Sequence, residues 1–220
     1  MVRRLFDIIL SCIALIVFLP VLCMAAIGIW LSSPGPIFYR ARRVGRNKKI
    51  FTMYKFRTMH RDQRMFKSVI TAKNDPRIFA FGSWLRRLKI DELPQLINIV
   101  KGEMSIVGPR AEDPRIVHTY YTQQQIETLH VLPGLASPGS IYNYTHGERF
   151  IDKDNPEKCY LEKLLPIKLA LDIIYVRESS FFYDLEIIFR TIWTILLISF
   201  GKHCFPDPPE MKKARKLIKN

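Results

Sequence analysis

A stretch of 24 residues without a single charge, Ile8 to Leu31 (IILSCIALIVFLPVLCMAAIGIWL), limits this chain more than any other feature. As one straight helix it would be ~36 Å long, enough to cross the ~30 Å hydrocarbon layer of a bilayer. It is too long for the apolar region of a cleaved signal peptide, which runs to roughly 7–15 residues. Pro20 stands near the middle of the run. There it removes a backbone donor and crowds the carbonyl four residues earlier, so a membrane break is expected at Pro20. The arms on either side have 12 and 11 residues; each, at ~17 Å, reaches about mid-bilayer. Arg3 and Arg4 precede the run, and Arg40, Arg42, Arg43, Arg46, Lys48 and Lys49 follow it. The positive-inside tendency draws both flanks to the cytoplasm, which suits a re-entrant hairpin. Proline kinks also occur in spanning helices, so on these residues a single spanning anchor and a hairpin both stay open.

Charge points to the partner. The 220 residues hold 34 Lys+Arg against 20 Asp+Glu, a formal charge of +14. The segment Phe38–Arg110 alone has 18 basic and 5 acidic residues, and 111–220 is balanced. A localised anionic partner follows: nucleic acid, anionic lipid or a phosphorylated substrate. With 48% hydrophobic residues the chain is neither disordered nor fibrous. Its four cysteines (Cys12, Cys23, Cys159, Cys204) form no C-x-x-C pair. A disulfide scaffold and a zinc ribbon are therefore not expected, and a reducing compartment is.

Three parts are expected: a membrane segment over 1–32, a catalytic or binding domain over 33–201, and a basic tail over 202–220. Ser33-Pro34-Gly35-Pro36 is turn chemistry that marks the exit from the membrane. Ile37–Arg43 and Lys49–Thr58, rich in β-branched and aromatic residues, read as a hairpin about Gly45-Arg46-Asn47. Trp84–Leu88 and Leu93–Val100 read as helical, as do the amphipathic stretches Leu161–Val176 and Asp184–Ile198. The proline- and glycine-rich residues 131–147 read as a long loop. The uncharged Thr191–Gly201 is too short to span and is expected in the interface or the core. A frayed, solvated end is expected for the tail, with some attraction to anionic lipid.

Asp91-Glu92 is the candidate for chemistry. These two of the five carboxylates in the basic segment are adjacent, just before Leu93-Pro94-Gln95. The plain interpretation is a helix cap with a first-turn acid that complements the dipole. The other is a diphosphate site: Lys55, Arg57, Arg86, Arg87 and Arg110 stand in compact motifs nearby, and free amides at a helix start add donors. A carboxylate in that setting can share Mg²⁺ with phosphate oxygens, or attack phosphorus. No Walker loop, H-E-x-x-H or Rossmann glycine pattern occurs, and the five histidines show no ligand spacing.

The chain resembles the bacterial sugar transferases, the monotopic phosphoglycosyl transferases. The matching strings are Arg4-Leu5-Phe6-Asp7, Ser33-Pro34-Gly35-Pro36-Ile37-Phe38-Tyr39-Arg40, Arg43-Val44-Gly45-Arg46, Tyr54-Lys55-Phe56-Arg57-Thr58-Met59 and Asn74-Asp75-Pro76-Arg77. Further matches are Leu85-Arg86-Arg87, Asp91-Glu92-Leu93-Pro94-Gln95-Leu96-Ile97-Asn98, Met104-Ser105-Ile106-Val107-Gly108-Pro109-Arg110, Leu171-Asp172-Ile173-Ile174-Tyr175-Val176 and Asp184-Leu185. They cover about residues 1–200.

The resemblance implies a mainly α, monotopic membrane enzyme with a small β-hairpin, a re-entrant helix broken at Pro20 and interfacial amphipathic helices. It would work at the cytoplasmic face of the bacterial inner membrane, at the first membrane step of glycoconjugate or polysaccharide biosynthesis. It implies transfer of a phosphosugar from a UDP-sugar to polyprenyl (undecaprenyl) phosphate, with membrane lipids and no nucleic acid as further partners. Asp91 would be the nucleophile that carries the phosphosugar while UMP leaves. Mg²⁺ would sit at Asp91 and Glu92, and Lys55, Arg57, Arg86 and Arg110 would contact phosphate. Arg149 is a further candidate for the diphosphate or base. Two departures stand out: Ala111 where a proline usually follows, and Pro133–Tyr144 in place of the usual Pro-Gly-(Ile/Leu)-Thr-Gly-x-x-Gln-Val. No extra N-terminal helices precede the run, so the chain is expected to be a minimal catalytic unit. The rival from another class is a membrane-anchored basic module without catalysis, which leaves Asp91-Glu92 without a purpose.

Overall fold

The structure, a computed structural model, describes residues 2–61, 75–147, 150 and 155–219. It opens on two helices, α1 (Val2–Val17) and α2 (Leu19–Ser32), bent by 60° about Phe18. Neither alone is long and apolar enough to cross a membrane. The bend falls two residues before Pro20, which stands in the first turn of α2. That is where proline physics puts it: the missing N–H and the ring clash both act on the preceding turn. Each helix is longer than the predicted arm, because Arg3, Arg4 and Asp7 are helical in α1, and Leu19, Pro20 and Ser32 in α2.

The predicted hairpin is present as β1 (Phe38–Val44) and β2 (Ile50–Phe56), antiparallel, with Phe38 opposite Phe56 and Val44 opposite Ile50. Its turn puts Asn47 and Lys48 at φ 54° and 61°, left-handed values that Asn tolerates better than most residues. Next come α3 (Ala80–Arg87), α4 (Gln95–Lys101), the short strand β3 (Ser105–Val107) and α5 (Pro114–Tyr120).

Residues 131–147 are not a loop. They form β4 (Gly134–Ala136), parallel to β3, and α6 (Pro138–His146). The signals that suggest a loop have other uses here. Ser137 caps α6 by accepting from the Ser140 N–H at 2.9 Å, and Pro138 fills the first turn, where its missing donor costs nothing. Gly134 lies so close to Gly108 that a Cβ on it would stand 2.0 Å from the Gly108 nitrogen; any side chain there would force the β3–β4 pair apart.

Helix α7 (Pro156–Cys159) runs through a π-helical turn, Tyr160–Leu164, into α8 (Leu165–Glu178), and α9 (Phe181–Ser199) follows. The tail is not frayed: α10 (Met211–Lys219) packs on α8 through Met211, Ala214 and Leu217. Glu210, just before α10, accepts from Arg190 at 2.6 and 3.1 Å and from the Tyr183 hydroxyl at 2.6 Å, so ion pairs as well as apolar burial hold the end down.

The main core joins the hairpin (Ala41, Met53), α4 (Leu96, Ile99), β3, α6 and α8–α9, with Phe6 and Leu10 of α1 packed against it. By contrast Phe182, Phe189, Ile192, Trp193, Leu196 and Phe200 leave one face of α9 exposed and apolar. Thr191–Gly201 thus ends α9 with much of its apolar side uncovered, outside the core.

Candidate active site

Asp91 and Glu92 lie on a short 3₁₀ turn, Ile90–Glu92, between α3 and α4. Lys89 enters that turn with φ 58°, a conformation uncommon for a residue with a Cβ and one that clusters at functional sites. Neither acid caps α4, whose N-cap is Pro94. Consecutive tight turns engage several of the amides here: Glu92, Leu93, Leu96 and Ile97 donate to the carbonyls of Lys89, Ile90, Leu93 and Pro94.

What surrounds the pair is side-chain charge. Lys55 on β2 donates to Glu92 Oε1 at 2.9 Å. Arg110, just after β3, donates to the same oxygen at 2.6 Å and to Oε2 at 3.3 Å. Asn98 sets the hairpin over α4: its amide donates to the Thr52 carbonyl at 2.7 Å and its oxygen accepts from the Tyr54 N–H at 3.0 Å, one residue before Lys55. From α1, Arg4 donates to the Ile99 and Val100 carbonyls at 2.6 and 3.0 Å, and Asp7 accepts from Ser105 Oγ at 2.7 Å and the Ile106 N–H at 3.2 Å. The apolar N-terminal helix is therefore pinned to α4 and β3, the two elements that follow the acids.

The two carboxylates differ electrically. Burial would raise Glu92, but Arg110, Lys55 and Lys89 outweigh it and hold Glu92 well below the usual carboxylate range. Asp91 is raised, by burial and by the Glu92 charge, against the pull of Lys55, Lys89 and Arg86. Its Oδ1 is buried and has no hydrogen-bond partner among the described residues. Burial pushes Lys89 down to about 8, and its ammonium stands 3.7 Å from the centre of the Tyr144 ring. The Tyr144 hydroxyl is 3.3 Å from Arg110 Nη1. Behind Arg110, Asp172 accepts from the Gly139 N–H at 2.9 Å and the Arg110 N–H at 3.4 Å, and burial raises it to about 6.

Of the predicted residues, Lys55, Arg110, Asp91 and Glu92 come together, and the Arg86 charge acts on Asp91. Arg57 does not join them. It is buried at the exit from α2, where it donates to the Ser33 and Pro34 carbonyls. Arg149 lies outside the described residues. Lys89, Tyr144 and Asp172 were not foreseen as site residues. Lys89 had a signal, two positions before Asp91; Tyr144 sits in the segment that departs from the usual pattern, and only the packing of α6 brings it here.

Among the described residues no group of three or more His, Cys, Asp or Glu could hold a metal ion. Magnesium needs only one or two carboxylates when phosphate oxygens and waters complete its shell. The unpartnered Asp91 Oδ1 fits that demand, whereas both Glu92 oxygens are already engaged by cations. The arrangement suits a phosphate ester brought against an isolated carboxylate between lysine and arginine side chains.

Comparison with known proteins gives the family. Residues 1–197 match the bacterial sugar transferase family. The UDP-glucose:undecaprenyl-phosphate glucose-1-phosphate transferase of Escherichia coli K12 is 36% identical over 197 residues, covering 88% of this chain and 40% of that protein. A putative undecaprenyl-phosphate N-acetylgalactosaminyl 1-phosphate transferase of Bacillus subtilis is 43% identical over 158 residues, 72% of this chain and 81% of the other. The exopolysaccharide production protein PSS of Rhizobium leguminosarum is 36% identical, with 86% and 92% covered. The chain thus spans 40% of the E. coli relative and most of the other two. With nine-tenths of its length matched and the dyad held among the motif residues, the chain belongs to the bacterial sugar transferase family.

Proposed function

We propose that this chain moves a phosphosugar from a UDP-sugar to undecaprenyl phosphate at a membrane surface, with Asp91 as nucleophile. The observation that carries this is the asymmetry of the dyad: Glu92 is clamped by Lys55 and Arg110, and Asp91 Oδ1 is buried beside it with no partner among the described residues. An ionised Asp91 oxygen attacks the phosphorus that bears the sugar. The new O–P bond forms as the bridging P–O bond breaks, and UMP departs with the bridging oxygen. A phosphate oxygen of the lipid acceptor then attacks the same phosphorus, the Asp91–phosphorus bond breaks, and the carboxylate is regenerated. Lys55, Lys89 and Arg86 lower the repulsion between the carboxylate and the incoming diphosphate. Arg110, steadied by Glu92 and Tyr144, offers its guanidinium to phosphate oxygens. Magnesium, held by the Asp91 carboxylate with diphosphate oxygens, would supply further neutralisation of the developing charge.

The bent α1–α2 pair and the exposed apolar face of α9 support a monotopic seat, both entering the same leaflet. Arg4 and Asp7 carry that seat directly to α4 and β3.

The test is intact-mass analysis of detergent-purified protein mixed with a panel of UDP-sugars and Mg²⁺. A phosphosugar adduct on Asp91, and loss of both adduct and UMP release in Asp91→Ala, is the expected result. UMP release by Asp91→Ala at the wild-type rate would overturn the assignment.

A further inference from the structure

A second concentration of positive charge lies away from the dyad. Between the outer edge of β1 and the start of α5 is a cleft of about 340 Å³ lined by Tyr39, Arg40, Arg42, Arg43, Asp113 and Arg115. Four guanidinium groups face one carboxylate. Asp113 accepts from Arg115 Nε at 3.2 Å and stands 3.8 Å from Arg43 Nη1, so it serves two of the four. Arg43 Nε is buried with no hydrogen-bond partner among the described residues. A buried donor without an acceptor is unfavourable, and clustered like charges repel. An anionic ligand with several acceptor oxygens would relieve both.

None of these six side chains makes a hydrogen bond to Asp91 or Glu92 among the described residues. Glu112, beside Asp113 in the chain, is engaged elsewhere: its backbone oxygen accepts from the Val44 N–H, and its carboxylate is taken by Lys168 at 2.8 Å and by the Tyr160 hydroxyl. A guanidinium fork matches the paired oxygens of a phosphate better than a single carboxylate oxygen does.

The position indicates where such a phosphate comes from. Strand β1 starts six residues after α2 ends, and its first residues, Phe38 and Tyr39, are 44% and 53% exposed. Aromatic side chains at the end of a membrane-inserted segment favour headgroup depth. We propose that the Arg40–Arg42–Arg43–Arg115 cleft binds the phosphate of an anionic lipid headgroup, as a site separate from the transfer centre. Such a site would set the height and tilt of the hairpin, and with it Lys55, against the bilayer.

The experiment measures retained lipid and stability rather than catalysis, so it stands whether or not the transferase assignment does. Full-length protein in neutral detergent is mixed with phosphatidylglycerol or phosphatidylcholine, and bound lipid is counted by native mass spectrometry alongside the melting temperature. Wild type should retain and be stabilised by phosphatidylglycerol over phosphatidylcholine. In Arg40→Gln/Arg42→Gln/Arg115→Gln that preference should fall on the order of tenfold or more, as expected for three lost headgroup-facing charges. Arg42→Gln alone, at an exposed strand position, should give a smaller fall and guards against misfolding of the triple variant. Lys48→Gln/Lys49→Gln/Lys202→Gln removes equal charge elsewhere and should keep the preference. An equal fall in both triple variants, or none in the first, would overturn the proposal. Inorganic pyrophosphate is the second arm. Stabilisation by pyrophosphate alone, lost in the arginine variant, would keep the phosphate chemistry but assign it to a soluble ligand.

Discussion

Asp91→Asn should make the protein more stable while abolishing its chemistry. The residue is 7% exposed and its Oδ1 has no partner among the described residues. Its carboxyl is raised because burial and the Glu92 charge together outweigh three attracting cations. A raised folded-state value means that the native state binds the proton more tightly than the unfolded chain. The stabilising contribution is therefore complete below the unfolded value and is lost as pH climbs through the folded one. At neutral pH the charge is a net burden. An unsatisfied buried polar group costs about 1–3 kcal/mol, and more if charged. Asn keeps the shape and leaves an amide in place of a charge, so about 1–2 kcal/mol should be recovered. For a chain of this size that corresponds to roughly 2–8 °C in melting temperature. Scanning calorimetry in detergent without divalent cations, paired with UMP release, is the assay. Expected are a higher melting temperature at pH 7, a gain that vanishes below about pH 4 where the wild-type acid is protonated in both states, and a rate lower by about 10⁴-fold or more. A lower melting temperature at pH 7, or retained UMP release, would refute the reasoning.

The neighbouring acid should behave oppositely. Glu92→Gln leaves Lys55 and Arg110 without their shared counter-charge and should destabilise the fold by about 3 kcal/mol, seen as a lower denaturation midpoint. Tyr144→Phe keeps the ring beside Lys89 but loses the hydroxyl next to Arg110, so donor KM should rise a few-fold with little change in melting temperature. Tyr144→Leu loses both contacts and should affect KM more, by a further ~0.5–2 kcal/mol in transition-state terms. Asp172, raised to about 6, should add about 1 kcal/mol of stability as pH falls from 7 to 5, because only the native state takes up its proton over that range. Asp172→Asn should flatten that slope in denaturant titrations at the two pH values.

Composition and local pattern decided several elements of this chain. The uncharged run with its proline gives a bent pair of N-terminal helices, because the missing donor and the ring clash interrupt an otherwise continuous apolar helix. Hairpin residues Ile37–Thr58 and helices over 84–100 follow from periodicity and turn chemistry, which act over a few residues. The Asp91-Glu92 pair was visible because acids are scarce in so basic a segment.

Tertiary structure alone decided what each charged group faces. Arg57 and Lys55 are two residues apart, yet one holds the carbonyls of the α2 exit and the other holds Glu92. Ser137 and Pro138 start a helix rather than a loop because β4 pairs with β3 just before them. That packing carries Tyr144 to a site over fifty residues away in sequence. The unequal acids of the dyad arise the same way. Side by side in sequence they are chemically alike, and only folding buries both while giving the cations to Glu92 and leaving Asp91 Oδ1 bare. Desolvation and Coulomb interactions depend on distances through space, which neighbours along the chain do not fix.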